Sequence, residues 1–144
     1  MAVGLVAAAK AEAAPTGKVV AAAKSKAAAA PAGADLAAVV SSTQKCLAAG
    51  QACLAICTDH LAMGMTAMAD CQRSTMNMLA VCEAAFKMAS YHNADRKTTA
   101  ALLAVCAELC DTCAKACEGH EHAECKQCAA ACKECAKACR AFKA

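Results

Sequence analysis

Fourteen cysteines stand in a chain of 144 residues, and their spacing is as unusual as their number. The densest run lies between Val105 and Phe142: Cys106, Cys110, Cys113 and Cys117, then Cys125, Cys128, Cys132, Cys135 and Cys139. The intervals are 4, 3 and 4, then a break, then 3, 4, 3 and 4. That is the rhythm of one face of an α-helix. Upstream, Cys46, Cys53 and Cys57 keep the same phase, as do Cys71 and Cys82. Charged residues such as Glu108, Lys115, Lys126, Glu134 and Lys137 fall off the cysteine face. Thiols therefore face inward and charges outward.

A buried thiol behaves as a small hydrophobe, so such a core can still form. It gains about 1 kcal/mol less per site than leucine on area grounds. A chain that repeats this loss so often uses the sulfur as a ligand. Thiolates select soft ions: Cu(I), zinc or iron–sulfur clusters. Charge balance separates them. Each Cu(I) replaces one thiol proton, so fourteen thiolates holding about fourteen ions stay near neutral. A zinc ion on four thiolates leaves two negative charges, and no inward lysine or arginine is in phase to offset them. Cu(I) also accepts pairs of sulfurs one helical turn apart, whereas tetrahedral zinc needs four converging ligands, generally from turns. Cys110-x2-Cys113 followed by Cys125-x2-Cys128 does match a zinc-site pattern, but a helical repeat of 3 and 4 produces that match by itself. Iron–sulfur motifs sit in loops with other spacings. A di-iron bundle needs inward Glu and Glu-x-x-His motifs, which are missing.

These stripes need helices to carry them. Alanine is abundant and proline occurs twice, a composition that favours helix. Helix 1 is expected from Asp35, as N-cap, to about Ala62, with Val39, Cys46, Cys53, Cys57 and His60 on one face. Gly64 ends it. Thr66 is the expected cap of helix 2, with Asp70 in its first turn, Met68, Cys71, Met78, Cys82 and Phe86 inward, and its end near Ser90. Asn93 is the expected cap of helix 3, which Gly119 stops. Helix 4 opens with Glu121 and Glu124 in its first turn and runs to about Phe142. Short connections imply an all-α, antiparallel, up-down-up-down four-helix bundle with a cysteine-lined core.

This topology brings the 1–2 and 3–4 turns to one end. There the sequence collects His60, Met63, Met65 and Met68 with His120 and His122, all soft or borderline copper ligands, read as a funnel toward the interior. Val39, Phe86, Leu102 or Leu103, and Phe142 are expected to plug the other end. Met76 and Met88 lie off the cysteine face, and Tyr91 and His92 are expected at the surface.

Residues 1–34 form a separate region: a leader remnant with the small-x-small triad Ala11-Glu12-Ala13, or a flexible Ala/Lys-rich arm. Residues 35–144 form the bundle. A formal charge of +3 with two Phe, one Tyr and no Trp offers no nucleic-acid surface. The apolar run at Met1–Ala9 is too short to span a membrane.

The stretch from about Asp35 to Phe142 resembles the copper storage proteins, bacterial cysteine-lined four-helix bundles. The likeness rests on Cys46-x6-Cys53-x3-Cys57, on Cys71-x10-Cys82 and on the C-terminal double stripe. It implies storage of many Cu(I) ions along the bundle axis by inward thiolates, with access at the His/Met end, and a tetramer for some relatives. The cysteine count and the Met-rich 1–2 turn look like the exported type, whereas Gly119-His120-Glu121-His122 resembles the cytosolic one. The expectation is an exported protein, with a cytoplasmic one left open, dealing with copper ions and a copper donor or acceptor. It is not expected to be an enzyme. A zinc or other soft-metal protein, a disulfide-stapled structural protein and a thiol oxidoreductase are the competing readings. Cysteines at i, i+4 are poorly oriented for bridging, and no single cysteine pair is set apart as an activated one.

Overall fold

The computed structural model describes residues 32–91 and 94–144. Four α-helices follow one another: α1 Ala32–Ala62, α2 Ala69–Ser90, α3 Arg96–Glu118 and α4 Ala123–Ala141, with a 3-10 turn at Thr66–Met68 before α2. α1 packs on α2 and α4, and α3 packs on α2 and α4. Among the described residues the backbones of the diagonal pairs stay apart, and α1 meets α3 only through side chains at the axis, as at Cys53–Cys117, 3.7 Å. The four helices thus surround a shared axis, and whatever projects inward from each meets the others there.

Most boundaries follow from local chemistry, with four differences from expectation. α1 begins at Ala32, three residues before Asp35. Alanine costs a helix nothing, so the Asp35 carboxylate sits in the first turn, where the helix dipole favours it. Gly64 ends α1 with φ +83, a left-handed conformation that glycine adopts without penalty. Thr66 is no side-chain cap for α2: it opens the 3-10 turn, and the N-cap position falls to Met68. Asn93 lies outside the described residues, as does His92. The cap of α3 is Asp95, whose carboxylate accepts from the Thr98 N–H at 2.7 Å. Glu121 precedes α4 and pairs with Lys126 at 2.5 Å, leaving Glu124 as the acid of the first turn. Gly119 follows α3 in ordinary right-handed geometry, φ −73.

The core is built almost wholly from sulfur and small side chains. Every cysteine is buried, at 0–3% exposure, together with Val39, Met68, Met78, Leu103, Phe142 and several alanines. Among the described residues the buried polar ones are three threonines. Thr43 and Thr99 donate their hydroxyls to the carbonyls of Val39 and Asp95, both at 2.7 Å. Charge stays outside. Lys133–Glu118 at 2.5 Å and the Arg140–Asp111 pair tie α4 to α3 on the surface, each contributing little in water.

The far end is closed as expected by Val39, Leu103 and Phe142, and the Arg96 guanidinium lies over the Phe142 ring, 4.5 Å from its centre. Phe86 takes no part: it is half-buried, while Ala85 and Ala89 hold the inward positions. Counted from Cys71 at about 100° per residue, Phe86 lies at the edge of the stripe. The smaller alanines fit the narrow axis better. Of the expected region 1–34, residues 1–31 lie outside the described residues.

Candidate metal-binding core

All fourteen thiols point to the axis and are unbridged. Sulfur–sulfur contacts run from 3.5 Å, for Cys71–Cys117 and Cys82–Cys106, to 4.0 Å, for Cys46–Cys110. A disulfide needs about 2.05 Å. A metal–thiolate bond of about 2.3 Å places the sulfurs of a trigonal site about 4 Å apart. The thiols thus stand at the separation of ligands sharing an ion.

They converge in five groups. From the His/Met end these are Cys53, Cys57, Cys71 and Cys125; Cys53, Cys117 and Cys128; Cys113, Cys128 and Cys132; Cys46, Cys82, Cys110 and Cys135; and Cys106, Cys135 and Cys139. Within each group the sulfurs lie within 4.8 Å of one another. Together the groups use every cysteine, with Cys53, Cys128 and Cys135 serving twice. Cys46 and Cys132, 3.6 Å apart, join the fourth group to the third. The result is one column of sulfur about as long as the bundle. The four cysteines of the zinc-like pattern do not converge on one point: Cys113 and Cys128 share a group, 3.8 Å apart, but Cys110 and Cys125 belong to two others.

Proton affinities along the column are uneven. Burial pushes the Cys57 and Cys125 thiols above their ordinary value. Cys106, Cys117 and Cys132 are raised as hydrogen-bond donors, chiefly to Cys110, Cys113 and Cys110 respectively. Cys53 and Cys113 are held low by the Cys117 thiol, and Cys135 by that of Cys106. Cys53 and Cys135 are also shared between groups, whereas Cys113 belongs to one. Among the described residues no lysine, arginine or carboxylate is buried to balance charge. The core therefore takes cations that arrive one per proton released.

The fold also brings the mouth residues to one end. His60 Nδ1 is 3.0 Å from Met65 Sδ, and the His60 and His122 rings stack obliquely with centres 4.3 Å apart. α1 and the α3–α4 turn meet there, as the antiparallel topology requires. Met68 is buried at 2%, whereas Met65 is 46% and Met63 67% exposed. His120 is half-buried and gives its N–H to the Cys117 carbonyl at 3.1 Å. The trio His60, Met65 and His122 is thus formed, with Met68 inside it and Met63 outside.

A family model described as "Copper storage protein" matches residues 32–144. The chain belongs to the copper storage protein family. Its fold agrees with solved members. Apo-Csp3, copper storage protein 3 from Bacillus subtilis, is 28% identical over 75% of this chain and 98% of its own, with a TM-score of 0.64. The Cu(I)-bound copper storage protein BsCsp3 is 25% identical over 76% of this chain and 99% of its own, also at 0.64. A search of curated proteins returned no match. Storage of several Cu(I) ions by clustered cysteines is the function of this copper storage protein, and the family's role is storage rather than catalysis. Among the described residues no helix is long and apolar enough to cross a membrane.

Two features escaped sequence reasoning. Thr75 faces the column, 3.5 Å from Cys113 Sγ and 3.9 Å from Cys53 Sγ. Gly50 packs against α2: a Cβ there would stand 2.7 Å from Met78 Cε and 2.8 Å from Leu79 Cδ2. One consequence of such burial is kinetic. In the reduced, native apo-protein the thiols are expected to react with a bulky thiol reagent at least a hundredfold more slowly than in denaturant, where all fourteen should count. Fast labelling of many thiols in the folded state would mean the column is open to solvent.

Proposed function

We propose that all fourteen cysteines are Cu(I) ligands and that copper reaches them through the mouth formed by His60, Met63, Met65, Met68, His120 and His122. The observation that carries the first part is the continuous column of buried thiols with no buried charge, among the described residues, to balance a more highly charged load. Each incoming Cu(I) breaks one S–H bond, forms a Cu–S bond and sends a proton to solvent, with no change of oxidation state. Titration of the reduced protein with Cu(I) against a competing chelator tests it. Saturation at three or four ions per chain would favour zinc-like sites instead.

The mouth part is supported by the contact of His60 with Met65 and His122 at the end opposite the Phe142 closure. Thioether and imidazole bind Cu(I) less firmly than thiolate, so an ion held there is free to move inward. Replacing His60, Met65 and Met68 together with alanine should slow uptake about tenfold or more in stopped-flow while capacity stays near that of the parent. An unchanged rate would remove the mouth from the path. The reading extends to a protein donor or acceptor of copper and to a tetramer, the latter supported by the family resemblance.

A further inference from the structure

Helix α2 is the cysteine-poor wall of the column. Its inward stripe runs Cys71, Thr75, Met78, Cys82, so two positions that would carry thiols hold other groups. The two cysteines are eleven positions apart, about 16 Å along the helix. Met78 stands in that gap, fully buried at 0% exposure, unlike Met63, Met65 and Met76, which are exposed. Its Sδ accepts from the Cys46 thiol at 3.4 Å. Cys46 in turn lies 3.6 Å from Cys132 and 3.9 Å from Cys82. The thioether therefore sits at the junction between the two halves of the sulfur column.

We propose that Met78 is a copper ligand, a neutral thioether that shares a Cu(I) with the Cys46 thiolate midway along the bundle. Deepening the storage reading above, it rests on that reading. Three observations support it beyond simple gap-filling, which is the usual use of a core methionine. The sulfur lies against a thiol of the column. The methyl is seated against the bare backbone of Gly50, where a Cβ would come within 2.7 Å of it, and this fixes the side chain with its sulfur at Cys46. The chemistry also fits. Thioether is a soft donor suited to Cu(I), and it releases no proton. Loading the site breaks the Cys46 S–H bond, forms a Cu–S bond to Cys46 and takes a lone pair from Met78. One proton leaves and the core remains neutral. Widening the 3.4 Å contact by about half an ångström gives the sulfur spacing of a trigonal site. Met78 completes the coordination of an ion without adding to the number of ions held.

Selenomethionine-labelled protein loaded with Cu(I) tests this through selenium-edge X-ray absorption, compared between the parent and Met78→Leu, a change that conserves core volume. At equal copper load, the selenium–copper shell should be weaker in the variant. In parallel, 13C-methyl spectra of the parent alone should show the Met78 ε-methyl resonance moving as copper is added, which keeps the test open if the variant folds poorly. Equal selenium–copper shells in both proteins, or a Met78 methyl that stays put through full loading, overturns the assignment while leaving storage intact. A parent that takes up no copper would fail the storage reading itself and this assignment with it.

Discussion

Replacing Cys110, Cys113, Cys128 and Cys132 together with alanine should lower the Cu(I) load by about four ions per chain, one for each thiol removed. The reason lies in charge. A buried Cu(I) without its thiolate is an uncompensated cation, and the core has nothing else to balance it. The four substitutions erase the group Cys113, Cys128 and Cys132 outright and take one member each from two more. The groups at the ends, Cys53 with Cys57, Cys71 and Cys125, and Cys106 with Cys135 and Cys139, remain whole. The Cys46–Cys132 contact that joins the two halves is lost. Two shorter stores should therefore survive in one folded bundle, read as a reduced endpoint in a competitive titration with helical content near that of the parent. A load that stays at the parental number would place the copper elsewhere.

The apo-protein should lose its fold in alkali, and the copper-loaded protein should not. Eleven thiols have pKa values raised above the ordinary 9.0 in the fold: Cys46, Cys57, Cys71, Cys82, Cys106, Cys110, Cys117, Cys125, Cys128, Cys132 and Cys139, the last pushed up to about 12. A raised group contributes stability that is complete below its unfolded value and is lost as pH climbs from there through the folded value. Cys53, Cys113 and Cys135 are shifted down and act in the opposite sense, but they are outnumbered. Each thiol kept protonated costs about 1.4 kcal/mol per pH unit once the unfolded chain ionises. Several such groups against a total stability of about 5–15 kcal/mol leave room for only one or two pH units. Helical circular dichroism of the reduced apo-protein should collapse cooperatively between about pH 9 and 12. With copper in place of the protons the same thiols have nothing left to titrate. An apo-protein with flat ellipticity through that range would show the thiols are not the protonated core described above.

How far these features can be read from residues alone depends on whether they belong to one helix or to two. The inward placement of all fourteen cysteines follows from intervals of 3 and 4 and their sums 7 and 11, because periodicity is a property of a single helix. The meeting of His60 with His122 also follows, since short connections leave the two turns no other end to share. Cap choice is less determined. Asn93 and Asp95 are two good caps two residues apart, and the charged one, followed at N3 by Thr98, takes the position. Ala32, Gly33 and Ala34 carry α1 back ahead of Asp35, to the residue after Pro31. The Phe86 expectation failed by an angle: its offset from the stripe is small on a helical wheel but large for a ring at a narrow axis. The Gly50–Met78 approach was out of reach, because it depends on how closely two helices come together. That is set by the pair and written in neither alone.

The division between a charged exterior and a sulfur interior has an effect on how this molecule is seen by others. Its surface ion pairs are fixed by residues that never touch the cargo, and the swap of proton for monovalent metal leaves the long-range field as it was. A passing protein that senses electrostatics cannot distinguish a full container from a vacant one. The fill level is hidden along the flanks, and any gauge of it has to sit at an end of the cylinder.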